Sequence, residues 1–430
     1  MDQLFQFLSL QDSNVRYVVL GSIFLCIGSA VVGCFTFLRK RALIGDAVAH
    51  SVLPGVALAF MIFHTKHPLV LIGGALATGW LSLLFIDFVT RRSRIKPDAA
   101  IGFTLSVFFG IGILLLTIIQ QSGDAGQSGL DRFLFGKAAS LMYSDVVTFS
   151  IVSLVLVLVI IFFFREFTLI SFDRNHAQAL GLPVRMLEFL LSTLTVIAIA
   201  TGIQAVGVVL MAALLISPAA AARYWTNNLV LMIILAALFG AFSGLAGSYV
   251  SYVAPSMPTG PWIVVALSAI AIFSLLLSTK RGMLARYISR HKNRLRITNE
   301  NILKAYYHLG EKDGDFQKGR TVAQLLEQRT FRMKNLENGL HRLKQKNLLA
   351  KQNGTWSMTE EGIKEGQRIT RLHRLWELYL TEHLRIAPDH VHEDAEAIEH
   401  IITPDIEARL EELLQYPSSD PHQTRIPSKT

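Results

Sequence analysis

Between Val15 and Ser278 the chain runs through about nine apolar stretches, most of them near the roughly 20 residues a helix needs to cross a hydrocarbon core. No water is available there to satisfy a bare peptide group, so segments of this kind fold as helices with all their backbone hydrogen bonds inside. The spans read as residues 15–38, 42–63, 69–90, 99–119, 146–164, 187–203, 206–222, 229–253 and 261–278. Between the sixth and seventh spans, Gly202 and Gln204 are the expected break. Beyond Lys280 the composition turns strongly charged, which predicts a water-soluble part. The expected fold is an all-α polytopic membrane protein followed by a soluble tail, divided as 1–285, 286–360 and 361–430.

Basic residues fix the orientation. Arg39-Lys40-Arg41, Arg91-Arg92 with Arg94 and Lys96, the stretch Arg165 to Arg185, Arg223, and Lys280-Arg281 fall at span ends of one parity. Those ends are expected in the cytoplasm. An odd number of spans then puts the N-terminus outside and the tail inside. The first fourteen residues read as an interfacial helix rather than a cleaved signal. Cys26 and Cys34 share one span, about 12 Å apart along a straight helix, so they read as packing residues and not as a disulfide. The formal charge of +9 follows from the basic loops and tail and carries no separate message.

Asp46 and His50 lie four residues apart at the start of the second span, on one helical face. Ionisable residues within a span usually mark a substrate or ion path. A carboxylate and an imidazole suit a divalent transition metal, and two ligands suit a conduit that must release its ion. The structural alternative makes Asp46 a helix cap and His50 a packed, hydrogen-bonded core residue.

The stretch GDAVAHSVLPG follows Arg39-Lys40-Arg41 and precedes an apolar helix. With LDRFLFGKA at Leu130 to Ala138, SFDRNHAQALGLP at Ser171 to Pro183 and VGVVLMAALLISPAAAAR at Val206 to Arg223, it resembles the permease subunits of ABC importers for manganese, zinc and iron. The resemblance implies that Ala179, Leu180, Gly181, Leu182 and Pro183 belong to a short cytoplasmic helix and turn that dock on an ATPase. A plain capped linker is the alternative. Gly136-Lys137-Ala138 does not complete a phosphate-binding loop, so ATP hydrolysis is expected in a separate subunit. The chain itself is expected not to be an enzyme. Gly207, Ala212, Ala213 and the run from Pro218 to Ala222 supply small residues for close packing, with a kink at Pro218.

In the tail, helices over Ile297 to Leu309, Thr321 to Gln328 and Arg332 to Lys346 precede a hairpin turning at Asn353-Gly354. Three helices and a hairpin make a winged helix-turn-helix. Arg329, Arg332 and Lys334 could touch nucleic-acid phosphate, or could line an ordinary solvated helix. The following residues resemble the metal-sensing and dimerisation domain of the iron- and manganese-dependent (diphtheria-toxin-repressor-like) repressors. That likeness places His373, Glu377, His392, Glu396, Glu399 and His400 on the family's metal ligands. Two family ligand positions differ, with Asn301 at a carboxylate or thioether position and Lys304 at an acidic one.

Taken together, these resemblances imply the permease subunit of an ATP-driven importer for manganese, iron or zinc, in a bacterial inner membrane. No permanently bound cofactor is expected. The implied partners are an ABC ATPase, an extracytoplasmic metal-binding protein, a second permease, membrane lipid and, through the tail, DNA. A membrane-tethered transcriptional regulator and a proton-coupled metal carrier are the competing readings.

Overall fold

The computed structural model describes residues 2–39, 42–65, 67–121, 136, 141–254, 257–279, 281–384, 404–415, 417–422 and 424–428. The chain divides after Arg286 into two compact units.

The described residues of the first unit form helices and the turns that join them, with no strand among them. In order come α1 (Asp2–Ser9), α2 (Ser13–Leu38), α3 (Ala42–Ser51), α4 (Leu53–Phe63), α5 (Pro68–Arg92), α6 (Pro97–Gln121), α7 (Tyr143–Phe162), α8 (Phe164–Phe172), α9 (Arg174–Ala179), α10 (Val184–Val206), α11 (Val208–Trp225), α12 (Leu229–Val253) and α13 (Thr259–Leu277). Eight spans among the described residues are long and apolar enough to cross a membrane, one of them formed by α3 and α4 together. The shorter apolar helix α11 accounts for the remaining expected span. Burial sorts the spans into layers. The windows in α2, α3–α4 and α10 are 78%, 67% and 72% buried, whereas those in α5, α6, α7, α12 and α13 lie between 22% and 33%. The former make the centre, and the latter turn apolar faces outward, as lipid-facing helices must.

Close helix crossings rest on small residues, the usual device where lipid removes any hydrophobic drive for helices to associate. A Cβ at Gly33 of α2 would stand 1.8 Å from the Leu215 carbonyl oxygen of α11. Gly55 of α4 and Gly74 of α5 approach reciprocally, with added Cβ atoms 2.0 and 2.3 Å from the opposing carbonyl oxygens. Two expected features shift. The second span is interrupted at Val52, because Pro54 has no N–H to offer the His50 carbonyl. Gly202 and Gln204 do not break a helix but lie inside α10; the turn falls at Gly207, whose φ of 89° and ψ of 164° only glycine adopts readily. At Gly202 the Met211 sulfur occupies the place of a side chain, so that glycine serves packing.

The second unit contains most of α14 (Met283–Asp313), then α15 (Val322–Gln328), α16 (Met333–Gln345), the hairpin β1 (Leu349–Gln352) and β2 (Thr355–Met358), α17 (Glu360–His383) and α18 (Pro404–Leu413). Thr321 and Gln324 form a reciprocal capping box on α15. β1 and β2 pair antiparallel with Gln352 opposite Thr355, and Asn353 and Gly354 both take positive φ, 48° and 79°, as a two-residue hairpin turn requires. Arg320 adds a bridge to Trp356, which is buried with Ile302, Leu325, Leu336, Leu340 and Ile369 in one core. α14 begins fourteen residues before the expected Ile297, since Arg and Lys are good helix formers and no Gly or Pro interrupts Met283 to Ile297.

Candidate metal path and sensing site

Asp46 and His50 share a face of α3, with Asp46 Oδ1 3.7 Å from His50 Nε2. That distance is an electrostatic pairing and not a hydrogen bond. His50 meets Phe109 of α6 edge-on, ring centroids 4.8 Å apart, and its buried Nδ1 has no hydrogen-bond partner among the described residues. The Asp46 side chain is 39% exposed against 15% for His50. The alternative of a capping Asp46 and a satisfied core His50 does not match this geometry: Asp46 sits inside α3, and the imidazole lacks a partner on one nitrogen. Phe109 had no sequence signal beyond an apolar run.

The segment Ser171 to Pro183 folds into the end of α8, the short helix α9 and a turn. Asp173 caps α9 by accepting from the His176 N–H at 2.9 Å. Gly181 ends it with a φ of 78°, while the Leu182 N–H reaches back to the Ala177 carbonyl at 3.2 Å. Ala177 is buried and anchors the helix, whereas Ala179, Leu180, Gly181 and Pro183 are exposed and Leu182 is half-buried. Phe172, Leu180 and Met186, exposed by 63%, 60% and 70%, leave apolar side chains uncovered at this element. Glu188 of α10 holds it in place, accepting from Arg39 at 2.8 Å through one oxygen and standing 3.3 Å from Arg174 through the other.

In the tail, His373 Nε2 and Glu377 Oε1 lie 3.0 Å apart on α17, both almost fully buried. His392, Glu396, Glu399 and His400 lie outside the described residues. Among the described residues no group of three or more His, Cys, Asp or Glu could hold a metal ion. Two of the six expected ligands are thus described, and they offer one nitrogen and one oxygen donor. On α14, Asn301 has a buried Oδ1 without a hydrogen-bond partner among the described residues, and Lys304 is buried. Arg332 and Lys334 are exposed at the start of α16, and Arg329 lies over Phe331 at 6.0 Å. Arg342 is engaged internally, donating twice to Asn299 Oδ1.

One tail residue had no sequence signal at all. Arg374 is buried and donates to both oxygens of Glu311 at 2.9 and 2.7 Å and to the Arg425 carbonyl at 2.7 Å, with Asp420 3.6 Å away. Burial raises the Glu311 pKa, but hydrogen bonds from His308 and Arg374 outweigh it and bring the carboxyl down to about 2.

Residues 11–278 match the profile described as the ABC 3 transport family. The chain belongs to the ABC 3 transport family. Residues 359–428 of this permease match the iron dependent repressor, metal binding and dimerisation domain. It is 44% identical over 382 residues to the manganese transport system membrane protein MntC of Bacillus subtilis (strain 168), an alignment covering 88% of this chain and 87% of that protein. It is 42% identical over 281 residues to the zinc transport system membrane protein TroC of Treponema pallidum (strain Nichols), over 65% of this chain and 94% of that one. Among solved structures it is similar to PsaBC from Streptococcus pneumoniae in complex with Fab, at 31% identity and a TM-score of 0.60, covering 67% of this chain and 99% of the other. The permease is therefore a multi-pass membrane protein and a transporter subunit, with a repressor-like domain fused behind it. A proton-coupled carrier is not the family's class.

Proposed function

We propose that this chain is the membrane subunit of an ATP-driven importer for a divalent transition metal, with manganese as the first candidate and zinc as the second. The observation that carries the reading is the alignment with the Bacillus subtilis manganese protein, which is longer than the permease segment itself and so takes in much of the tail. Asp46 and His50 form the ion's contact in the path. Their spacing supports this, because an ion between one carboxylate oxygen and one imidazole nitrogen is held loosely enough to move on.

The exposed apolar element around α9 is the surface on which an ABC ATPase docks, with Ala179, Leu180, Gly181, Leu182 and Pro183 at its tip. An extracytoplasmic binding protein delivers metal, and two permeases make one pathway. Residues 1–285 form the permease, 286–360 a winged helix-turn-helix, and 361–430 a metal-binding and dimerisation domain on the cytoplasmic side. There His373, Glu377, His392, Glu396, Glu399 and His400 sense cytoplasmic metal. Arg329, Arg332 and Lys334 offer a basic edge for phosphate.

Uptake of manganese, zinc and ferrous iron into vesicles holding this chain and its ATPase tests the proposal. Manganese uptake that depends on ATP and disappears in the Asp46→Asn, His50→Ala double variant is the expected result. Equal uptake by that variant removes the pair from the path, and no ATP-dependent uptake of any of the three ions removes the importer reading.

A further inference from the structure

Glu188 sits where three elements meet. It lies on the second turn of α10, its side chain 15% exposed, and its two carboxylate oxygens are divided between two arginines on different segments. Oε1 takes the Arg39 guanidinium at 2.8 Å, and Oε2 faces Arg174 at 3.3 Å. Arg174 is the first residue of α9, and Arg39 is the residue that closes the C-terminus of α2. Three residues past Arg39 begins α3, which carries Asp46 and His50. One carboxylate thus bridges the α9 element and the joint from which the ion-contacting helix departs.

The two halves of the bridge differ in environment. Arg39 is 9% exposed and Arg174 is 45% exposed, so the inner arm is the stronger and the outer arm the more easily broken. Beside the inner arm lies a small cavity lined by Thr36, Arg39, Ile44, Val48, Leu191 and Thr195, among others. This pocket is half-open and lies between α2, α3, α5 and α10. Thr36 and Thr195 pair across it at 3.3 Å, a neutral contact that is easily remade.

We propose that Glu188 is the transmission residue of this permease: it ties movement of α9 to the α2–α3 joint, and so ties the ATPase stroke to the position of Asp46 and His50. The inference rests on the reading of α9 as the ATPase contact and of the Asp46/His50 pair as the ion contact. A push on α9 moves Arg174, Glu188 follows, and Arg39 carries the displacement to the start of α3. Rigid elements joined by a charge-assisted bridge transmit motion with little loss, whereas a neutral amide at the same position accepts or donates more weakly and holds only one arm.

The test uses the permease reconstituted in proteoliposomes with its ATPase and its binding protein, with manganese as the probe. ATP hydrolysis and manganese uptake are measured on the same vesicles for Glu188→Gln, Glu188→Asp and the exchanged pair Arg39→Glu with Glu188→Arg. Glu188→Gln should keep hydrolysis while uptake per ATP falls about tenfold, the size expected from losing one charge-assisted bond. Glu188→Asp should be intermediate, and the exchanged pair should recover part of the lost ratio. An unchanged ratio in Glu188→Gln overturns the proposal. Parallel loss of hydrolysis, uptake and assembly in both single variants, without recovery in the exchanged pair, assigns Glu188 to the fold and also overturns it. Two controls keep the underlying reading separate: crosslinking from position 180 reports whether α9 meets the ATPase, and the Asp46→Asn, His50→Ala variant reports whether the pair contacts the ion.

Discussion

Phe109 of α6 stands edge-on against His50 of α3, with the ring centroids 4.8 Å apart. With its ring at 88° to the phenyl, His50 has Nε2 toward Asp46 and a buried Nδ1 without a hydrogen-bond partner among the described residues. An aromatic pair of this kind contributes roughly 1 kcal/mol beyond its buried area. Phe109→Ala should therefore raise the half-saturating manganese concentration for uptake about fivefold, with ATP hydrolysis unchanged. Transport titrations on the variant and the parent decide it; superimposable curves would show that Phe109 does not hold the ring.

Leu180 is exposed on the element assigned to the ATPase, so its replacement should spare the fold and damage the contact. Leu180→Asp is expected to weaken binding of the ATPase by about tenfold or more, because an apolar anchor is exchanged for a charge that must be desolvated. Co-purification in detergent with the thermal midpoint as a control reads both quantities. Full retention of the ATPase would place the contact elsewhere.

Gly55 tests the helix crossing that supports the candidate path. Gly55→Ala puts a methyl group within reach of the Gly74 carbonyl, and backbone cannot swing aside as a side chain can. A cost of about 2 kcal/mol or more is expected from such overpacking. The variant should unfold in detergent at a lower temperature than the parent, whereas Gly73→Ala, which meets open space, should not.

Glu311 predicts a pH dependence in the tail. Its folded pKa of about 2 lies below the ordinary value of 4.5, so the pair with Arg374 stabilises fully above 4.5 and loses that contribution as the pH falls toward 2. Because Glu311 is partly solvated, the contribution is about 1–2 kcal/mol rather than the full shift. The protection factor of α17 amides in the full-length protein, normalised to the intrinsic exchange rate at each pH, should fall between pH 4.5 and 3 in the parent. Glu311→Gln should already exchange faster at pH 6 and show a smaller change over that interval.

For the sensing site, manganese should slow exchange in α17 of the parent and leave His373→Ala with Glu377→Ala unaffected. A ligand at a hundred times its dissociation constant adds about 2.7 kcal/mol to the form that binds it. Equal protection in parent and variant would separate any metal effect from these two residues.

The spans were readable because length and apolarity are imposed by the bilayer and need no knowledge of neighbours. The hairpin at Asn353-Gly354 was readable for a comparable reason, since the turn's positive φ values restrict residue choice locally. What stayed hidden depends on contact across the chain. Gly202 and Gly207 look alike in sequence, yet one makes room for Met211 and the other turns the backbone. The pairing of Asp46 with His50 followed from spacing alone, but Phe109 lies 59 residues beyond His50 and carries no mark in an apolar run. Glu188 and Arg374 were equally silent: a charge gives no hint of its partner until the helices are placed.

The grip of Arg374 on the far end of the chain has a practical side. Its hydrogen bond to the Arg425 carbonyl and its pairing with Asp420 tie these two residues to α17, and Ile426 is buried beside Leu375, Leu410 and Leu414. A stop codon before Ser418 would thus leave a buried guanidinium with half of its acceptors gone. Strains carrying such an allele would report a damaged domain, and their phenotype would be misassigned if it were scored as the loss of a dispensable terminus.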